Sequence, residues 1–220
     1  MAATTAGRLG EIMRAAGFDC YGVAAYAETL PGTGYRKNEL FDGIQSVIVC
    51  LIPWDTGKNE GRNVARYCVG MDYHLVGQKH LNIAAELLKE LCPEDRFACF
   101  VDSSPVAEVR AAVLAGLGVR GHNNLLISDQ YGTRCAIGEI VTTHAFPKSV
   151  PHPGTCLLCN KCLEACPNAA LSSEGFDRAR CVSAMTQKKG ALTAEEEALI
   201  RRVGFVWGCD RCADVCPMNR

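Results

Sequence analysis

Apolar residues recur at Leu9, Ile12, Met13 and Ala16, which is one face of a helix, and Gly17 stands where that helix would stop. CYGVAAY, from Cys20, reads as a strand, and PGTGYRKNELFDG at 31–43 as a polar loop. SVIVCLIPW at 46–54 is almost wholly apolar, the pattern of a buried strand. In DYHLVGQKHLNIAAELLKELC, Ala84, Leu87, Leu88 and Leu91 fall on one helical face, and FACFVD returns to strand. Ser104 before Pro105 is a helix-start pair: a capping hydroxyl, then a residue whose missing N–H is not needed in the first turn. The helix it opens would run to Gly116. NLLIS and RCAIGEIVTT predict strands joined by a turn at DQYG, and Glu139 within the second is given no catalytic role. Thr193 and Glu196 form a capping-box pattern over 193–202. Helices and strands alternate, which predicts an α/β sandwich around one sheet.

Composition narrows the setting. The chain has 220 residues, 48% hydrophobic and 21% charged, enough for one large domain or a core domain with a small appendage. A net charge of -1 gives no overall basic footprint for nucleic acid. MAATTAGRLGEIMRAAGF lacks the long apolar core of a secretory signal, and the run VIVCLI is far too short to span a bilayer. The expectation is a cytoplasmic protein with no membrane partner. Fourteen cysteines without an export signal then favour metal binding over disulfides. Cys20, Cys50, Cys68, Cys92, Cys99 and Cys135 are scattered singly and read as small buried hydrophobes. The other eight crowd into 156–216. That shift, with Pro151 and Pro153 in SVPHPGT, sets an expected division into an α/β domain over 1–150 and a cysteine-rich domain over 151–220.

Cys156, Cys159, Cys162 and Cys166-Pro167 form C-x2-C-x2-C-x3-C-P, the bacterial ferredoxin spacing. Three close thiolates grip three corners of a cubane, and the fourth cysteine points to the other cluster. A second run, Cys209, Cys212 and Cys216-Pro217, is one cysteine short, and Cys181 can supply the missing ligand. One [4Fe–4S] cluster then takes Cys156, Cys159, Cys162 and Cys216. The other takes Cys166, Cys181, Cys209 and Cys212. A pair of structural zinc sites is the alternative, but zinc sites do not usually come with this spacing. The fold expectation is therefore an α/β sandwich with a C-terminal, bacterial-ferredoxin-like module carrying two [4Fe–4S] clusters. Two clusters alone would make a ferredoxin, so the first 150 residues are expected to hold what receives the electrons. GLGVRG at 116–121 matches a dinucleotide fingerprint by letter only. It ends a helix and leads into a strand, the reverse of the order such a site needs.

The order RYCVGMDYH (66–74), VDSSPVAEVRAAVLAGLGVRGHNNLLIS (101–128), GEIVTT (138–143) and the two cysteine runs resembles epoxyqueuosine reductases and, more loosely, reductive dehalogenases. The resemblance covers most of residues 60–219. It implies cobalamin beside two [4Fe–4S] clusters, an external low-potential electron donor, and reduction of epoxyqueuosine to queuosine in tRNA. Residues 1–150 would be the corrinoid-binding catalytic domain. The aspartate of that family's D-x-x-P-x-x-E segment is its proposed proton donor, and Asp102, with Pro105 and Glu108, matches it. Asp102 is placed after a strand and before a helix, where α/β sheets bind ligands. Arg66, Tyr67, Asp72, Tyr73 and His74 match the family's R-Y…D-Y-H segment and would line the corrin or substrate pocket, with a helix-start role as the other reading of Asp72. The chain departs from the family in its short 31–43 loop, in His122 where lysine is common, and in stopping at Arg220 without a helical-repeat tail, which suggests a compact form. It has no D-x-H-x-x-G motif for a histidine on cobalt. Two other functions fit the same parts: an electron-transfer or corrinoid-handling protein, and a corrinoid reductase of a small organic substrate.

Overall fold

The structure, a computed structural model, describes residues 5–30, 40–54, 57 and 61–219. The loop expected at 31–43 lies mostly outside the described residues. Two compact units make up the chain. The first comprises 1–53, 73–119 and 135–154, and the second 54–72, 120–134 and 155–220. The division is thus not one cut near residue 150. A change in composition marks a point along the chain, but it does not reveal which earlier loops pack with the segment beyond it.

The first unit runs through α1 (Thr5–Ala15), β1 (Tyr21–Ala25), α2 (Tyr26–Thr29), β2 (Ser46–Pro53), α3 (Tyr73–Leu91), β3 (Phe97–Val101) and α4 (Glu108–Leu114). Val119–Arg120 (β4) and Leu126–Ile127 (β5) form a small ribbon, and β6 (Cys135–Thr142) returns to the first unit. As the sequence predicts, α1 stops at Gly17, which sits at φ +91. The amides of Gly17 and Phe18 donate back to the carbonyls of Arg14 and Met13, the paired bonds of a Schellman stop.

The sheet has the order β1-β2-β6-β3, and every pairing in it is antiparallel. Strands β2 and β6 occupy the centre, and all eight residues of β6 are buried. The turn before β6 closes through a Ser128–Gly132 bridge. Yet β5 pairs with β4 and not with β6, contrary to the hairpin read from the sequence. A strand buried on both faces and both edges needs long partners, and β2 and β3 supply them.

Neighbouring residues of a strand face opposite sides of the sheet, so two glycines show what covers each face. A Cβ on Gly138 would press on Leu81 of α3, and one on Gly77 of α3 would press on Ile52 and Val101. Helix α3 therefore lies on the Gly138 face. Its buried residues are Gly77, Leu81, Ala84, Ala85 and Leu88, a stripe rotated slightly from the predicted one, with Leu87 and Leu91 half-buried. On the other face, a Cβ on Gly22 of β1 would run into the backbone oxygen of Ala115, just past α4. Gly22 pairs with Val49, which pairs with Glu139, so Glu139 shares the α4 side.

Helix α4 starts later than Ser104-Pro105 suggests, at Glu108 after Ala107. The Ala107 amide donates to the carbonyl of Thr29, and the Ser104 hydroxyl accepts from Val106. Those bonds hold 104–107 as a turn. The capping box at Thr193 and Glu196 is formed as read. Among the described residues, no helix is long and apolar enough to cross a membrane.

Because a backbone oxygen cannot move aside as a side chain can, Gly22→Ala is expected to cost roughly 3 kcal/mol of stability. Chemical denaturation reads this directly. An unchanged midpoint would mean that α4 does not sit against β1 this closely.

Candidate cluster centre and carboxyl site

The second unit is short elements strung between cysteine loops: α5 (Lys161–Glu164), β7 (Leu171–Ser172), β8 (Gly175–Phe176), α6 (Val182–Thr186), α7 (Ala194–Val203) and α8 (Arg211–Asp214). Leu158, Asn160 and Ala169 all hold positive φ, at 50, 62 and 47. Left-handed backbone is unfavourable for such residues and persists where the surroundings demand it. Here it curls the chain around the sulfurs of the first cysteine run.

Two pockets open among these loops. One, of about 290 Å³, has Cys166, Cys181, Cys209 and Cys212 in its wall. The other is narrower, about 20 Å³, with Cys156, Cys159, Cys162 and Cys216. Each pocket thus mixes cysteines from both runs. Burial, then the neighbouring Cys209, Cys181 and Cys166, push the Cys212 thiol up to about 12. Among the described residues, Cys92, Asp95 and His144 are the group whose ligand atoms lie within 4.8 Å of one another. Four thiols per pocket, supplied by ferredoxin-type spacing, suit a cubane.

Segment 61–68 is fastened to the second cysteine loop within the same unit. Val64 bridges Trp207 in parallel, and the Val206 amide donates to Asn63. Arg62 reaches Asp210 at 3.0 Å and Asp214 at 2.8 Å. The Arg66 amide donates to Asp210, and its guanidinium meets Asp214 at 3.2 Å. Gly208, at φ +71, has no room for a side chain beside Ala65 and Tyr67. Arg66 and Tyr67 therefore lie against the loop that carries Cys209 and Cys212. Tyr67 is tilted against Trp54 at 6.0 Å. Asp72 ends the 54–72 segment of this unit, directly before α3.

Tyr73, His74 and Asp102 come together in the first unit. The Tyr73 hydroxyl donates to Asp102 Oδ2 at 2.6 Å, and His74 Nε2 lies 2.9 Å from the same oxygen. The Tyr73 and His74 rings stack at 4.1 Å. The Asp102 side chain is 46% exposed, so this carboxyl is open to a ligand. Asp102 and Ser103 have φ of 55 and 48. Two successive strained residues aim the acid, in place of the strand-end crevice rule, which belongs to open α/β sheets rather than this antiparallel one.

Two further carboxyls belong to this cluster. Glu108 heads α4. Burial, then the Asp102 charge, push its carboxyl up to about 7, against a hydrogen bond from the Ser104 backbone. Glu139 is fully buried in β6, with neither carboxyl oxygen hydrogen-bonded. Burial and then the Glu108 charge lift it well above the usual carboxylate range, opposed by the nearby Ser104 hydroxyl. Glu139 had a signal in the sequence: a lone charge inside the apolar run CAIGEIV, where nothing local neutralises it.

Residues 155–219 match the family described as 4Fe-4S double cluster binding domain, and residues 35–103 match epoxyqueuosine reductase QueG. The epoxyqueuosine reductase of Gloeobacter violaceus is 36% identical over 82% of this chain and 58% of its own length. That of a Synechocystis strain is 36% identical over 84% of this chain and 67% of its own. An epoxyqueuosine reductase solved with an epoxyqueuosine-modified tRNA-Tyr stem loop superposes with a TM-score of 0.82 at 25% identity, over 96% of this chain and 64% of that one. A Bacillus subtilis structure at the same TM-score and identity, over the same shares of the two chains, has its catalytic aspartate loop swung out of the active site. A reductive dehalogenase shares the fold at a TM-score of 0.72 and 17% identity, over 96% of this chain and 31% of that one. The chain spans between 39% and 67% of the length of its curated relatives. On this match of sequence and fold, the chain belongs to the epoxyqueuosine reductase family.

Proposed function

We propose that the chain is a corrinoid-dependent iron–sulfur reductase that removes the epoxide oxygen of epoxyqueuosine in tRNA. The first unit is its corrinoid-binding, catalytic half and the second holds two [4Fe–4S] clusters. The observation that carries the reading is Asp102, in a D-x-x-P-x-x-E segment, exposed, and gripped by Tyr73 and His74. The solved relative with its catalytic aspartate loop swung out gives a precedent for a movable acid on such a loop.

The reaction converts an epoxide to an alkene and water. It consumes two electrons and two protons. An external low-potential donor supplies the electrons, one at a time, to clusters held by Cys156, Cys159, Cys162 and Cys216, and by Cys166, Cys181, Cys209 and Cys212. Bound cobalamin supplies the carbon–oxygen bond chemistry. The residues present fit a corrin that takes no histidine from the protein. His74 is on Asp102, His80 on the Ala16 carbonyl, His122 on Asn160, His144 on Asp95 and His152 on the Gly154 amide. Asp102 gives its proton to the epoxide oxygen, and the hydrogen bonds from Tyr73 and His74 stabilise the carboxylate left behind. The tRNA reading draws on the relative solved with a modified stem loop. With a net charge of -1, phosphate contacts have to come from local groups of Lys and Arg.

Asp102→Asn is expected to lower turnover by about 10²- to 10⁴-fold while the clusters still reduce. Undiminished turnover would remove Asp102 from the acid role. Added to the anaerobically loaded chain, cob(II)alamin should give a base-off cobalt EPR signal, and an unchanged free-cobalamin spectrum would favour an electron carrier. Cys216→Ala should cut iron from about eight to about four per chain. It should also spare the cluster on Cys166, Cys181, Cys209 and Cys212. Loss of that second cluster instead would overturn the exchanged ligand sets.

A further inference from the structure

Helix α3 has two ends, and the proposed chemistry uses one of them. Tyr73 and His74 open the helix and hold Asp102. At 1.5 Å per residue, the 19 residues of α3 put its other end about 27 Å away. Three side chains able to ligate a metal meet at that far end, all within the first unit. Cys92 directly follows α3, Asp95 lies in the bend before β3, and His144 lies just past β6. The sheet register brings the last two together, because Phe97 of β3 pairs with Thr142 of β6.

We propose that Cys92 and His144 bind one zinc ion, with Asp95 holding the histidine ring from behind and water completing the coordination. The site is separate from both cysteine pockets and from Asp102, and it is independent of the reduction proposed above. Cys92 is then more than the small buried hydrophobe that its isolated place in the sequence suggests.

The geometry carries the inference. His144 Nδ1 lies 2.7 Å from Asp95 Oδ2, and the other carboxyl oxygen, Oδ1, accepts from the Thr143 hydroxyl at 2.8 Å. An acceptor-only carboxylate beside Nδ1 places the ring proton there, so Nε2 presents its lone pair. That lone pair faces Cys92 Sγ at 3.9 Å. An S–H donor bonds weakly at such a distance. Tetrahedral zinc, with sulfur at about 2.3 Å and nitrogen at about 2.0–2.1 Å, sets those two ligands about 3.5 Å apart. A shift of about 0.4 Å therefore seats the ion. A carboxylate behind the imidazole is also the usual outer partner of a zinc-binding histidine. Sulfur and imidazole donors suit zinc, where magnesium and calcium want oxygen.

The frame is held before any metal arrives. The Asp95 amide donates to the Cys92 carbonyl, the Arg96 amide to the Thr143 hydroxyl, and the His144 amide to the Thr142 hydroxyl. The Phe146 ring packs against that of His144 at 4.3 Å. His144 and Asp95 are 27% and 24% exposed, so water reaches the open positions, while Cys92 is only 8% exposed. A reactive thiolate is the other use of such a trio. Burial, then the Asp95 charge, push the Cys92 thiol up, against a pull from Arg8, so the sulfur keeps its proton until a metal expels it.

The test uses the anaerobically cluster-loaded chain, dialysed to equilibrium against buffered zinc, with metals counted by mass spectrometry. About one zinc per chain is expected beside about eight irons. Cys92→Ser should hold no zinc and keep its irons. X-ray absorption at the zinc edge should show one sulfur at about 2.3 Å and the remaining ligands nitrogen or oxygen at about 2.0–2.2 Å. Asp95→Asn should weaken zinc binding about 10- to 100-fold, read by competition with a coloured chelator. Four sulfurs around the zinc would put it in a cysteine pocket and overturn the site. So would a chain that takes no zinc, zinc retained in Cys92→Ser, or a ninth iron in place of the zinc. If Cys92→Ser does not fold, the absorption spectrum of the wild type and the Asp95→Asn affinity still decide.

Discussion

Four sulfurs must meet in each pocket, drawn from two runs far apart in sequence and, in one pocket, from Cys181 between them, and the second unit is arranged around that requirement. Cys216 joins the wall of Cys156, Cys159 and Cys162, and Cys166 joins that of Cys209 and Cys212. Neither run closes a pocket alone. The elements between them are short because they serve mainly to return the chain to the sulfurs. The Arg62 and Arg66 contacts to Asp210 and Asp214 hold the second loop in place. These pairs are only partly exposed, and a shared network of two arginines and two aspartates is worth more than isolated surface pairs, which contribute about 0–1 kcal/mol. A metal-loaded set of thiolates would then lock what the ion pairs pre-arrange, because cluster binding and folding are coupled.

The first unit is governed by an opposite constraint, a charge with nowhere to go. A central strand buried on both faces has no place for an ionised carboxylate, yet Glu139 stands in its middle. Replacing it with an apolar residue would relieve that cost, so its presence calls for a reason outside packing. The antiparallel sheet makes such a position possible. Its β3 edge ends at Val101, directly before the strained Asp102–Ser103 pair, and α4 begins a few residues later at Glu108. Burial grades the three acids from Glu139 through Glu108 to Asp102.

Much of this was legible in the sequence. Gly17 as a helix stop, the apolar run of β2 and the capping box at Thr193 each follow from short-range rules that the local chain satisfies by itself. The cysteine spacing forecast which sulfurs share a pocket wall, because loop lengths constrain thiols tightly. Ser104 misled because its turn is held by a bond from Ala107 to Thr29, a partner far away in sequence. The strand pairing of β6 was hidden for the same reason. Arg66 and Tyr67 looked like neighbours of Tyr73 and His74 because they share a motif. The motif crosses from the second unit into the first at Asp72–Tyr73, and its two halves have different contacts.

That crossing bears on how the parts divide the chemistry. Sulfur clusters move electrons and carry no useful store of protons, while carboxyls do the reverse. The eight cysteines of the two pocket walls lie in one unit, and Glu139, Glu108 and Asp102 in the other. A nine-residue motif, 66–74, joins them covalently. Its early residues brace a cysteine loop, and its last two hold the exposed acid. On the proposed function, one electron without its proton, or the reverse, leaves the oxygen half removed. One continuous segment thus supports the cluster loop at its start and the exposed acid at its end.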